Sequence, residues 1–180
     1  GDNVGDIAGR GADLFESITG ENIGAMILGL AMYPVFGING VIFPLVARAA
    51  GLFATVAGIY TVSVKGRQTA INALTRGLIV TVVLAGIIFF GLTQLMLNGS
   101  INLFFAALVG LGTSVLIALI TQYYTSSSFR PVKEIGEASK TGAATNVVAG
   151  LSVGLETTGA YIIAIVAALM LSFWLGTLNG

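Results

Sequence analysis

The 180 residues predict an all-α fold, a polytopic transmembrane helical bundle, and three observations carry that expectation. Hydrophobic residues make up 56% of the chain and charged residues only 9%, whereas a soluble domain carries about 25% charge. Mean hydropathy is +0.95. Five apolar runs recur along the chain, each near the roughly 20 residues that a bilayer core requires, and polar segments between them hold most of the basic residues.

The first run covers residues 4–35; its acidic half enters first, and Ile23 to Val35 is apolar apart from small residues and Tyr33. The turn FGING leads into the second run, 41–64, and the polar loop 65–76 into the third, 77–97. LNGS precedes the fourth, 103–124, and the loop 125–140 precedes the fifth, 141–175. The first and last are too long for a simple span, so they tilt or project, and the acidic start of the first favours projection. Lys65, Arg67 and Arg76 occupy one long loop and Arg130, Lys133 and Lys140 the other, whereas FGING and LNGS carry no basic residue. The positive-inside rule then places both long loops, with Arg10 and the N-terminal carboxylates, on the cytosolic side and Gly180 outside. Small residues such as Gly5, Gly9, Ala12 and Gly20 recur at spacings that allow close helix packing.

Several function classes drop out. Zero net charge gives no nucleic-acid signal, and the absence of Cys and His removes a disulfide framework, the usual transition-metal ligands and the neutral-pH proton switch. Any metal should be hard and oxygen-liganded. The acidic, Gly-rich opening lacks a secretory signal pattern and reads as a cut from something longer.

That opening, GDNVGDIAGRGADLFE, is the most informative stretch. On a helix Asp2, Asp6, Asp13 and Glu16 fall at about 0°, 40°, 20° and −40°, one stripe roughly 80° wide. It extends about 21 Å along the axis. An ionised carboxylate in hydrocarbon costs several kcal/mol unless it is paired, cation-bound, protonated or open to water, so such a stripe reads as a cation path. Asp2 alone would suit a solvated cap favoured by the helix dipole. Glu16 lies about four turns in, where neither cap nor dipole accounts for a carboxylate. Glu21 sits about 100° off the stripe and is placed to meet outer helices. Arg48 and Glu156, at membrane depth, read as structural polar anchors. Asn98-Gly99-Ser100 matches a glycosylation pattern, but the turn is too short and too close to the bilayer to serve as an acceptor.

GDNVGDIAGRGADLFES resembles the signature helix of the membrane-integral, ion-translocating inorganic pyrophosphatases. A second segment, FRPVKEIGEASKTGAATNVVAGLSVGLETTG, residues 129–159, is similar to another motif of that family, and the intervening VIFPLVARAAG also looks like family sequence. The resemblance covers essentially the whole chain and implies that it is the middle portion, helices six to ten, of a fold of about sixteen helices that works as a homodimer. It implies magnesium as cofactor and pyrophosphate, bound as its magnesium complex, as substrate. Asp2 and Asp6 would then be catalytic and metal-binding, coordinating magnesium and positioning the nucleophilic water, while Asp13 and Glu16 would form the ion gate. Other aspartates and the phosphate-binding lysines would come from helices outside this sequence, so the fragment alone is expected to be inactive.

The gate carboxylate stands at Glu16 and Gly20 occupies the position one turn on. By resemblance this placement occurs in sodium pumps and in potassium-independent proton pumps; protons are the expected cargo and sodium the alternative, with potassium dependence undetermined. The expected location is the cell membrane of a prokaryote. Two rival classes remain at this stage: a cation-coupled secondary transporter or channel fragment without hydrolytic activity, and a purely structural membrane bundle. An acidic, lysine-bearing helix upstream would favour the enzyme.

Overall fold

A computed structural model describes residues 1–63 and 70–178. The helices are α1 (Asp2–Gly29), α2 (Tyr33–Phe36), α3 (Ile38–Thr61), α4 (Ala70–Met96), α5 (Ile101–Thr125), α6 (Arg130–Ala138) and α7 (Ala143–Thr177), with a 3-10 turn at Leu30–Met32. No strand occurs among the described residues. Four stretches among them are long and apolar enough to cross a membrane: Ile38–Thr61, Ile71–Met96, Ile101–Ala138 and Ala143–Thr177. The expected count of five is therefore not reached. Asp13, Glu16 and Glu21 interrupt the apolar part of α1, which falls short on composition rather than length.

The expected loops are also partly helical. Residues 70–76 belong to α4, because Ala70, Ile71, Ala73 and Leu74 favour helix while Asn72, Thr75 and Arg76 made the stretch look like a loop by polarity alone. Lys65, Arg67 and Gly180 lie outside the described residues. Residues 130–138 form α6, which opens on Pro131 in its first turn, where a missing N–H costs nothing. The first run is broken as well. Pro34 cannot donate to the Leu30 carbonyl and its ring crowds that oxygen, so the chain tightens there and the Tyr33 N–H donates to it instead. Gly37, at φ +58°, then reverses the chain into α3 in a backbone region that L side chains rarely adopt.

The chain divides into two compact units, Gly1–Ile101 and Asn102–Gly180. In the first, α3 packs against α1 and α4. Most of its buried helix positions are small, Gly40, Ala47, Ala54 and Gly58 on α3 and Ala73, Gly77 and Ala85 on α4, with Thr93 and Leu97 the larger buried side chains. A Cβ on Gly58 would collide with the Thr81 hydroxyl and lie 2.9 Å from the Gly77 carbonyl oxygen. A Cβ on Gly29 would lie 2.7 Å from the Gly40 oxygen. Pro44 deprives that carbonyl of its helical donor, leaving it free to face Gly29. Large apolar side chains point outward instead, Tyr60 at 86% and Leu95 at 81% exposure. Small residues inside and large ones outside suit a lipid solvent, in which close backbone approach supplies the packing that water expulsion supplies elsewhere.

In the second unit, Thr121 and Tyr161 share a hydrogen bond of 2.7 Å, and the Tyr124 hydroxyl donates to Glu156 Oε1 at 3.0 Å. Later residues on α5 thus meet earlier ones on α7, so the two run antiparallel. The final turn of α5 is level with residues 156–161, and α7 continues past it by about 20 Å, from Glu156 back to Ala143 at 1.5 Å per residue. Short α6 packs on α7. Its Pro131, Val132, Ile135 and Ala138 are covered, while Arg130, Lys133, Glu134 and Glu137 stay exposed. Several hydroxyls within the apolar helices bond back to their own backbone, for example Thr81 to the Gly77 oxygen and Thr113 to the Val109 oxygen, so these need no partner from lipid.

Candidate functional site

Residues 2–29 form one uninterrupted helix, so Asp2, Asp6, Asp13 and Glu16 do share a stripe, and all four are exposed. Exposure along α1 has a sharp pattern. Every residue from Gly1 to Ser17 is exposed, and the partly or fully covered positions are Ile18, Asn22, Ala25, Met26 and Gly29. At about 100° per residue these centre roughly 180° round the helix from Asp2, diametrically opposite the acidic stripe. The helix therefore turns small and apolar positions toward α3 and presents its carboxylates away from it. Asp2 and Asp6 stand one turn apart near the start, and Asp13 and Glu16 lie about 10 to 15 Å further along.

Among the described residues no group of three or more His, Cys, Asp or Glu is close enough to hold a metal ion. Asp2 and Asp6 are hard oxygen donors of the kind magnesium takes, and one or two carboxylates is the usual protein contribution to such a site. They fit as part of a ligand set.

Two pairings went unforeseen in the sequence. Glu21 Oε2 lies 3.8 Å from Arg48 Nη2, joining α1 to α3. Glu156 accepts a hydrogen bond from the Tyr124 hydroxyl, which puts it level with the end of α5. The signal for the first was present but unreadable alone: Glu21 precedes Gly29 by as many residues as Arg48 follows Gly40, and that matters only once the two glycines are known to touch.

A family profile described as Inorganic H+ pyrophosphatase matches residues 1–180. The chain belongs to that family. Its pyrophosphatase relatives include K(+)-insensitive pyrophosphate-energized proton pump 2 of Moorella thermoacetica, 50% identical over 100% of this chain and 27% of its own length. The K(+)-insensitive pyrophosphate-energized proton pump of Caldanaerobacter subterraneus is 47% identical over 98% of this chain and 26% of its own length. Pyrophosphate-energized membrane proton pump 3 of Arabidopsis thaliana is 38% identical over 100% of this chain and 25% of its own length. Relatives with sodium-pump names match at 35% and 38%. The chain thus spans about a quarter of the length of the pyrophosphatase relatives it matches. With four apolar helices, it is part of an integral, multi-pass membrane protein.

Proposed function

We propose that the full-length protein is a primary ion pump that couples hydrolysis of magnesium pyrophosphate to proton translocation. The observation that carries this reading is the geometry of α1, whose first half carries four carboxylates on one face while the opposite face of its second half packs on α3. That arrangement suits a helix lining a polar path completed by other segments of the same polypeptide. Family membership supplies the substrate class.

In this reading Asp2 and Asp6 hold magnesium. Bound magnesium neutralises phosphate charge and makes water a better nucleophile at neutral pH. The two carboxylates, one turn apart, would orient that water by accepting its hydrogen bonds. Asp13 and Glu16 lie too far along for phosphate chemistry and serve as the gate. Asp13 pairs with basic groups contributed by other helices, and Glu16 receives the transported cation.

Relatives named K(+)-insensitive proton pumps at 47% and 50% identity favour protons over sodium and independence of potassium. The basic residues Arg76, Arg130, Lys133 and Lys140 between the apolar stretches support a cytosolic side for the start of α1, if α1 crosses the membrane as well. The functional unit is a homodimer. The decisive experiment is pyrophosphate-driven acidification of vesicles containing the full-length protein, with and without sodium and potassium. Acidification that needs neither cation is expected; flux of sodium instead of protons would overturn the ion assignment, and no pyrophosphate-driven flux would overturn the pump.

A further inference from the structure

The Glu21–Arg48 pair sits at a fork. From Glu21 to Gly29, α1 lies along α3 with covered positions at Asn22, Ala25, Met26 and Gly29; before Ile18 it has none, although α3 continues to Thr61. Two contacts in one antiparallel register hold the attached part: Gly29 against Gly40, and Glu21 against Arg48. The glycine contact allows close approach but resists rotation weakly, because it offers no directional group. The ion pair does resist rotation. Turning α1 on α3 would draw apart the two charges, now 3.8 Å from each other, and lose their attraction. Asp13 and Glu16 lie only about 8 to 12 Å beyond the pair, on the part that stands free of α3.

We propose that Glu21 and Arg48 are positioning residues for the ion gate: their pairing fixes the register and rotation of α1 on α3, and thereby where Asp13 and Glu16 present their carboxylates. Neither residue touches the transported ion. Single removal leaves the other charge unpaired and loosens the fork, whereas exchange of the two charges keeps the lock. This rests on the reading of Asp13 and Glu16 as the gate, but the lock can be measured without it.

The test uses the full-length protein in vesicles with three variants, Arg48→Ala, Glu21→Gln and the double exchange E21R/R48E. Spin labels at Ile7 and Tyr60, in a background without other cysteines, report the distance across the fork. Arg48→Ala and Glu21→Gln should broaden that distance distribution, and the exchange should narrow it again. Ions transported per pyrophosphate hydrolysed should fall about three- to tenfold in each single variant and recover in the exchange, a range typical of residues that modulate coupling without touching ligand. A general loss of folded protein would lower hydrolysis and transport together and leave that ratio unchanged. Distributions as narrow in the single variants as in the parent, or an exchange no better than either single variant, would overturn the lock. A recovered distance with an unchanged transport ratio throughout would overturn the link to the gate. If the parent itself fails to pump, the functional reading falls while the distance measurement still decides the lock.

Discussion

Helices α1 and α4 are nearly the same length, 28 and 27 residues, yet they are built for opposite surroundings. Covered positions run along α4 from Ala73 through Gly77 and Ala85 to Thr93, which is fully buried and bonds back to the Phe89 and Phe90 carbonyls. On α1 the covered positions stop at Ile18, and the half that carries the carboxylates touches no neighbour closely enough to hide a side chain. The comparison teaches that helix formation and helix partnership are separate decisions. Both segments satisfy their backbones internally, but only α4 is specified by what lies within this chain. The acidic half of α1 keeps every side chain exposed.

The comparison breaks most visibly at the aqueous end of α1. Asp6→Ala in the full-length protein should abolish pyrophosphate hydrolysis, a loss of about a hundredfold or more, because it removes a carboxylate from a cationic cluster that the substrate needs. Phosphate release at saturating magnesium checks this. The isolated chain should show no hydrolysis at all, since it brings no complete ligand set; turnover free of contaminating soluble enzyme would place the chemistry elsewhere.

Deeper on the same stripe the effect should change in kind. Glu16→Gln keeps size and hydrogen bonding while removing the charge that stabilises a cation at low dielectric, so ion flux should fall by about tenfold while magnesium dependence hardly moves. Flux and magnesium titrations on the same vesicles separate the two levels. If this variant weakens magnesium binding as much as Asp6→Ala and its residual turnovers still pump normally, Glu16 belongs with Asp2 and Asp6.

Smaller effects sharpen the packing side. Gly58→Leu forces a side chain into the Thr81 hydroxyl and the Gly77 carbonyl and should destabilise the α3–α4 contact by about 1–3 kcal/mol, read as a lower unfolding temperature in detergent. Gly9→Ala meets nothing within 4 Å in this chain and, placing the best helix former inside α1, should stabilise that helix by about 0.5–1 kcal/mol. If Gly9→Ala nevertheless impairs the full-length protein, the helix face at Gly9 is packed by segments outside this chain.

Much of this was legible in the residues. Apolar runs and the lack of β pattern announced helices crossing a membrane, and the spacing of Asp2, Asp6, Asp13 and Glu16 announced one stripe, because both depend only on local periodicity. Polarity misled where local propensity and solvation disagree: residues 70–76 and 130–138 read as loops, yet a charged helix standing in water satisfies its backbone as well as a buried one does. The break at Leu30–Met32 was carried by Pro34 but hidden by the apolar run around it.

By itself, then, the sequence determined that the long apolar segments are helical and that four carboxylates share a face, since the 3.6-residue repeat is intrinsic to the backbone. Only the tertiary structure decided which face of α1 turns toward α3, that Glu21 finds Arg48, and that Glu156 lies level with the end of α5. Those outcomes depend on register between helices, which is set by contacts such as Gly29 on Gly40 and Gly58 on Gly77 whose partners are distant in the chain. No local pattern encodes a register that is chosen by how closely two backbones can approach.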